Sequence, residues 1–128
     1  MAFRIGEDSY QVTVNLTGWD RIMCWRSHVE IPHDQIRSAT LARRGDLESS
    51  IDHRLAGVGT HDGARRSGRR RVGSMMGRHI TGKQFWAVGE GSPDAVLVVL
   101  DLKDHEFSRA VLAVSDADGS VERIRAGR

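Results

Sequence analysis

The sequence has one cysteine, no long apolar run and no N-terminal segment of the kind that directs secretion. Cys24 stands alone among 128 residues, so an intramolecular disulfide framework is excluded. The longest apolar run, residues 95–100, has six residues, whereas a helix needs about 20 to cross a bilayer. No charged stretch followed by an apolar one resembles a signal peptide. These absences predict a cytoplasmic protein without a transmembrane segment.

The composition predicts a globular domain rather than a disordered chain. Hydrophobic residues make up 39% of the sequence and charged residues 28%, and 19 basic against 17 acidic side chains give a net charge of +2. A domain of this length buries about two-thirds of its unfolded surface, so it needs no covalent staple to fold. We expect one domain over residues 1–128, with its core within residues 10–124 and no cofactor.

The N-terminal third predicts β-strands. Val12, Val14 and Leu16 alternate with polar residues, which is typical of a half-buried strand. A turn at 17–18 and a second strand over 19–25 follow. A third, short strand ends at Pro32, which cannot donate a ladder hydrogen bond, so this strand stops there or lies at a sheet edge. Residues 36–42 alternate more weakly and predict a fourth strand.

The C-terminal third predicts three further strands and a helix. The strands cover residues 83–88, 95–102 and 107–114, and the last two form a hairpin around a polar turn. Asp116 fits an N-cap, and Val121 and Ile124 are three apart, which favours a short terminal helix. Gly119 weakens the first turn of this helix.

The middle of the chain holds the excess of arginine and glycine. Residues 43–82 carry nine arginines and no lysine against four carboxylates, a net charge of +5. Leu47, Ile51 and Leu55 lie four apart, which predicts one short helix. Asp46 is its possible N-cap and Gly57 its possible C-cap. Residues 57–82 show almost no periodicity and predict a long Gly/Arg-rich loop of the kind that is often functional.

Two glycine patterns resemble nucleotide sites without matching them. Gly77, Gly82 and Lys83 have P-loop spacing, but Gln84 stands where a magnesium-binding Ser or Thr belongs, and a strand rather than a helix follows. Residues 57–63 match a dinucleotide fingerprint only loosely, because the third glycine is one residue late. We interpret residues 57–63 as a turn and do not assign a nucleotide site to residues 77–84.

The histidines predict no metal site. There are six of them, and none has the close spacing of a known metal motif: His28, His33, His53, His61, His79 and His105. Cys24 is interpreted as a small core residue. An alternative hypothesis is an enzyme or ligand pocket under the 57–82 loop, with His53, His61, Asp62 and Lys83 converging. We assign no catalytic residue.

The strongest indication of function in the sequence is a run of basic residues. Six arginines fall within 14 residues: Arg65, Arg66, Arg69, Arg70, Arg71 and Arg78. Arginine forks suit bidentate contacts with phosphate or carboxylate. The run predicts contact with an anionic partner, namely a protein surface, a phospholipid headgroup or a phosphorylated ligand. The alternative is a solvated loop paired with the protein's own carboxylates. Nucleic acid is disfavoured, because the net charge is only +2 and no aromatic residue interleaves the arginines.

The order of about seven strands ending in one helix resembles the pleckstrin-homology-like fold. The glycines at 57, 59 and 73, the stretch 82–88, the strands 96–102 and 107–114 and the Asp116-led helix resemble small uncharacterised actinobacterial proteins with that fold. The resemblance implies a fold rather than a function. Eukaryotic relatives bind inositol phosphates through basic residues in the loop joining the first two strands. Here that loop, residues 17–20, has no basic cluster.

We therefore expect a mainly β, pleckstrin-homology-like domain: a partly open antiparallel barrel or sandwich of six to eight strands with a C-terminal helix. It is expected to act as a non-catalytic binding or adaptor module, to form a homo-oligomer through its edge strands, and to lie at the membrane periphery if its partner is a lipid. The predicted core comprises Val12, Val14, Leu16, Ile22, Trp25, Ile31, Phe85, Val88, Val96, Val98, Leu100, Phe107, Val111 and Val114.

Overall fold

The computed structural model describes residues 3–7, 11–16, 28–48, 51–58, 71–77, 82–92 and 94–126. These residues form nine strands in two sheets, one 3₁₀ turn and two α-helices. In chain order the elements are β1 (Phe3–Glu7), β2 (Gln11–Leu16), β3 (His28–Pro32), the 3₁₀ turn (His33–Gln35), β4 (Ile36–Arg43), α1 (Arg44–Glu48), β5 (Ile51–Val58), β6 (Arg71–Gly77), β7 (Gln84–Val88), β8 (Val96–Leu102), β9 (Arg109–Leu112) and α2 (Ala117–Ala126). The mainly β prediction is confirmed.

The small sheet is antiparallel in the order β1-β2-β3. On β2 the predicted alternation is confirmed, because Val12, Val14 and Leu16 are buried while the residues between them are not. Strand β3 ends at Pro32 and is an edge strand of this sheet. Both features are expected because proline has no N–H to donate to a neighbouring strand. Strand β1 pairs with β2 along its whole length and was not predicted.

The large sheet has six strands in the order β4-β8-β9-β7-β6-β5. Strands β8 and β9 form the predicted antiparallel hairpin. Because β9 turns back between β8 and β7, it runs parallel to β7. The described strands therefore form two sheets and no closed barrel. They differ from the predicted partly open antiparallel barrel or sandwich of six to eight strands in number, which is nine, and in the one parallel pair.

One hydrophobic cluster joins the two sheets and α2. It brings Val14 and Ile31 of the small sheet together with Phe85 and Leu100 of the large sheet and Ile124 of α2. A second cluster covers the opposite face of the large sheet, around Trp86, Val99, Val111 and Leu47. Central strand β7 is consequently buried on both faces, as is typical of strands covered on both sides.

Most of the predicted core is confirmed. Val12, Leu16, Val88, Val98 and Phe107 are among its members that are at most 2% exposed. Val96 is a correction, since it is 48% exposed; it begins β8 opposite Arg43, at the end of the sheet and beyond the core. Val114 is only partly buried against the main cluster. The predicted strand over 19–25, with Ile22, Cys24 and Trp25, lies outside the described residues.

The helix predicted between Asp46 and Gly57 is wrong over most of its length. Helix α1 ends at Glu48, and residues 51–58 form β5. Spacing by four is typical of a helix face, but residues 51–58 pair with β6 along an irregular ladder, so the pairing with β6 and not the local spacing selects the strand. Leu47 is buried in the second cluster, whereas Ile51 and Leu55 belong to a strand.

The long loop predicted over 57–82 is interrupted by β6. This strand pairs with β5 on one side and with β7 on the other. Its sequence hides the period, because Gly73, with φ of 131°, and Ser74 occupy its centre, and glycine is depleted in strands. Gly73 lies opposite Trp86 of β7. A glycine at this position leaves room beside the largest core side chain.

Helix α2 begins as predicted. The Asp116 carboxylate accepts a hydrogen bond from the Gly119 N–H at 3.1 Å, and the Asp116 carbonyl accepts one from the Ser120 N–H at 2.9 Å. Val121 and Ile124 face the main cluster. No helix in the described part of the chain is long and apolar enough to cross a membrane.

Candidate functional site

The large sheet has one end at which β4, β5, β7 and β9 finish and β6 and β8 begin. This arrangement follows from the register, which pairs Arg43 with Val96, Arg71 with Val88, and Leu112 with both Ala87 and Val98. We call it the upper end, and the opposite one the lower end. The segment 59–70 connects β5 to β6, so it leaves and re-enters the sheet at the upper end.

The sheet separates the six predicted arginines into two groups. Arg65, Arg66, Arg69 and Arg70 belong to the segment 59–70, outside the described residues, and Arg71 is the first residue of β6. Arg78 follows Gly77 at the lower end of β6 and is itself outside the described residues. A strand rises about 3.3 Å per residue, so the backbone at 71 and the backbone at 77 are about 20 Å apart. Arg71 therefore lies at the upper end, and the four arginines that precede it in sequence are grouped with it below as the candidate patch 65–71.

The residues of the alternative pocket also divide between the two ends. His53 lies on β5 opposite Met76, near the lower end, and Lys83 precedes β7 at the same end. His61 and Asp62 follow Val58 in the segment 59–70 and lie outside the described residues. The backbone thus places His53 and Lys83 near the lower end of the sheet, whereas the segment with His61 and Asp62 follows β5 at the upper end.

Lys83 is engaged by the β8–β9 turn. Its Nζ lies 3.3 Å from Glu106 Oε2 and 5.4 Å from the centre of the Phe107 ring. Its carbonyl oxygen accepts hydrogen bonds from both the N–H and the hydroxyl of Ser108, at 2.8 and 3.1 Å. These contacts give Lys83 a place in the scaffold of the lower end.

The strand expected at the end of the P-loop-like stretch is confirmed, since Gln84–Val88 form β7, while residues 78–81 lie outside the described residues. Gly82 has φ of 89°, which favours glycine. Gln84 starts β7, is 1% exposed, and its Oε1 accepts a hydrogen bond from Trp86 Nε1 at 3.1 Å. The side chain at the position of the magnesium-binding residue therefore faces the second cluster.

His105 has two hydrogen-bond partners within the fold. The Phe107 N–H donates to His105 Nδ1 at 3.0 Å, so Nε2 carries the proton and donates to the Glu30 carbonyl at 2.8 Å. This imidazole connects the β8–β9 turn with the small sheet. His33 is 6% exposed within the 3₁₀ turn. Among the described residues, no group of three or more histidine, cysteine or carboxylate side chains is arranged to hold a metal ion.

A cleft opens at the upper end of the large sheet, beside β1 and α2. It has a volume of about 570 Å³ and is lined by β1, the β7–β8 connection, the start of β8, the β9–α2 connection and the first turns of α2. Its apolar walls include Phe3, Ile5, Val88, Leu97 and Val114. This volume falls within the range of about 300–1,000 Å³ that is common for small-molecule sites.

Two arginines supply the positive charge of the cleft. Arg44, 1% exposed, begins α1; its N–H donates to the Ala95 carbonyl at 2.8 Å, and its Nη1 donates to the Gly89 carbonyl. Arg123 lies on α2 with its side chain 58% exposed, 3.6 Å from the Asp116 carboxylate and 3.2 Å from Ser120 Oγ. One charge therefore lies beneath the wall and the other at the rim.

Sequence reasoning missed this cleft. Its lining comes from six separate stretches of chain, and nothing in the local pattern at Arg44 distinguishes it from Arg43, which is exposed and paired with Asp94 at 2.7 Å. The sequence offers one weak signal that Arg44 is buried. Arg43 and Arg44 are adjacent at the end of β4, and adjacent residues on a strand point to opposite faces.

No protein-family model, curated protein or solved structure matches this chain. The resemblance to pleckstrin-homology-like proteins stays a prediction, and function rests on the residues themselves.

Proposed function

We propose that this chain is a non-catalytic binding module whose arginine patch, residues 65–71, contacts an anionic partner. The observation that carries the proposal is the charge of the segment 59–70, which has four arginines and one aspartate in twelve residues and no lysine. Arginine over lysine favours bidentate bridging to phosphate or carboxylate. We also propose a pleckstrin-homology-like fold, supported by the β-rich order ending in one helix.

The position of the patch in the topology supports this proposal. Strand β6 is held between β5 and β7 by antiparallel ladders, so the patch is attached to a rigid sheet, as binding loops usually are. At the same end, two carboxylates already have arginine partners, Asp94 with Arg43 and Asp116 with Arg123. These local pairs reduce the competition that the protein's own acids offer to an external anion.

The test is co-sedimentation with vesicles of phosphatidylserine and phosphatidylcholine, with pure phosphatidylcholine vesicles as the neutral reference. Each basic residue near an anionic surface contributes about 1 kcal/mol. Replacing Arg69, Arg70 and Arg71 together by alanine should therefore weaken binding by roughly 100-fold. The binding should also fade between low salt and about 0.15 M salt, where the screening length is about 8 Å.

Two further variants make the test specific. The triple Arg→Lys variant at 69–71 keeps the charge and should bind between wild type and the alanine variant, because it lacks the guanidinium fork. Arg37→Ala with Lys103→Ala removes two exposed charges elsewhere and should bind as the wild type does. Unchanged binding by the alanine triple would refute the arginine patch. Absence of vesicle binding would refute a lipid partner, and a polyglutamate column then tests carboxylate-bearing partners.

A further inference from the structure

The cleft at the upper end is an open ligand-sized site whose described lining residues are separate from the arginine patch. Phe3 and Ile5 of the small sheet pack against the main cluster, whereas Val88 and Leu97 of the large sheet belong to the second cluster, so the cleft extends around the upper end of the large sheet. Phe3, Ile5 and Val114 are only partly buried, although they pack against the main cluster. A ligand with an apolar part would remove their remaining exposed surface from water, which is favourable in proportion to the area.

The charges around the cleft are arranged at two depths. The deep charge is Arg44, whose guanidinium lies under residues 89–91, where a Cβ on Gly91 would be 3.5 Å from Nη1. The shallow charge is Arg123, at the rim. Coulomb interactions strengthen where water is excluded, so Arg44 raises the potential of the cleft even though it presents little surface.

Two carboxylates also line the cleft, and they restrict the ligand's charge. Asp116 is held by the Gly119 N–H at 3.1 Å and by Arg123 at 3.6 Å, whereas Glu90 is exposed at the rim. A ligand with two negative charges would meet both carboxylates, and an ammonium would meet the fixed charge of Arg44. A single carboxylate meets less repulsion from these two side chains than a dianion does, and its planar geometry matches a guanidinium fork.

We propose that this cleft binds a small amphipathic carboxylate, with its apolar part between Phe3, Ile5 and Val114 and its carboxylate at Arg123, above the charge of Arg44. This site is separate from the arginine patch in its residues and in its ligand. The apolar walls select the body of the ligand, and the two arginines select the sign of its charge.

The probe is sodium decanoate, titrated into ¹⁵N-labelled protein while amide chemical shifts are followed. We expect saturable shifts confined to β1, the start of α1, residues 88–91 and residues 113–123, with a Kd below about 1 mM. Decanol and decylammonium, which share the chain and differ in charge, should bind at least tenfold more weakly. Equal binding of decanol, stronger binding of decylammonium, shifts elsewhere, or no shifts would each overturn the proposal.

Variants separate the two parts of the site. Arg123→Gln, at an exposed position, should weaken decanoate binding at least tenfold, and Arg123→Lys should restore part of it. Ala95→Phe should fill the cleft and abolish binding, and its melting curve reports whether it folds. The alanine triple at 69–71 should bind decanoate as the wild type does, so failure of the arginine patch and failure of this site are distinguishable. Wild-type binding by Arg123→Gln would refute the assigned carboxylate contact.

Discussion

Asp116 and Gly119 are coupled, and their coupling predicts that the effect of Gly119→Ala on stability depends on whether Asp116 is present. The Asp116 carboxylate caps α2 by accepting the Gly119 N–H at 3.1 Å. A Cβ placed on Gly119 would lie 2.1 Å from Asp116 Oδ2, 2.7 Å from Asp116 Cγ and 2.9 Å from Arg123 Nη1. An alanine at 119 therefore requires the cap side chain to rotate away and lose its hydrogen bond.

The magnitudes follow from two opposing effects. Gly→Ala in a helix stabilises it by about 1 kcal/mol, while loss of an Asp N-cap costs about 1 kcal/mol, within a range of about 0.5–2. The Asp116–Arg123 contact adds little, because both side chains are more than half exposed. Gly119→Ala alone should thus leave the free energy of unfolding within about 0.5 kcal/mol of wild type, or lower it.

In a protein that already lacks the cap, the same substitution should stabilise. Asp116→Ala removes the carboxylate and should cost about 1 kcal/mol, and adding Gly119→Ala to it should recover about 1 kcal/mol. Urea unfolding of the wild type, the two single variants and the double variant gives the coupling energy, expected to be about 1 kcal/mol. An increase of about 1 kcal/mol from Gly119→Ala in both backgrounds would show that the carboxylate does not occupy the space above Gly119.

Two further predictions concern the scaffold. Leu100→Ala should lower the free energy of unfolding by about 2–5 kcal/mol, because this side chain is 0% exposed in the main cluster; a urea-unfolding loss below about 1 kcal/mol would contradict its place in the core. A double-mutant cycle on Asp101 and Arg109, joined at 2.8 Å with side chains 34% and 21% exposed, should give a coupling of about 1 kcal/mol. The matched cycle on Arg43 and Asp94, joined at 2.7 Å but 60% and 78% exposed, should give less than about 0.5 kcal/mol, and equal couplings would refute burial as the cause.

The strands that sequence reasoning located are those whose alternation coincides with burial. On β2 every second residue meets the other sheet, so the pattern is visible in the residue types. On β7 both faces are covered, yet Phe85 and Trp86 still identify a strand by β-propensity. The polar turn and apolar strand that form the β8–β9 hairpin were likewise sufficient.

The errors arise where a local pattern has two solutions or where burial is decided by distant residues. Spacing by four from Leu47 to Leu55 is typical of a helix, but pairing with β6 makes residues 51–58 a strand. Gly73 interrupts the alternation of β6, and its pairing with the bulky Trp86 on β7, which explains the glycine, is not visible in the local sequence. Val96 has the residue type of a core position but stands at the end of its strand. Tertiary context overrides propensity in each case.

Of the two candidate sites, one was visible in the sequence and the other was not. The arginine patch is contiguous in sequence, so composition alone identified it, while the cleft is assembled from residues as far apart as Phe3 and Arg123. The parallel pairing of β7 and β9 brings the ends of both strands to the upper end, next to the start of β8. That arrangement is a property of the topology, and the local period of the sequence carries no trace of it.

The two proposed sites also differ in their relation to stability, and this difference makes them separable by experiment. Arg44 is buried and its backbone and side chain both hold neighbouring loops, so its replacement would disturb the scaffold together with the cleft. The segment 59–70 instead joins two strands whose ladders are formed by the backbone on either side of it. Variants at 69–71 should therefore retain the wild-type melting temperature, and a binding defect in them reports on contact with the partner. The exposed Arg123, rather than Arg44, is the corresponding position in the cleft.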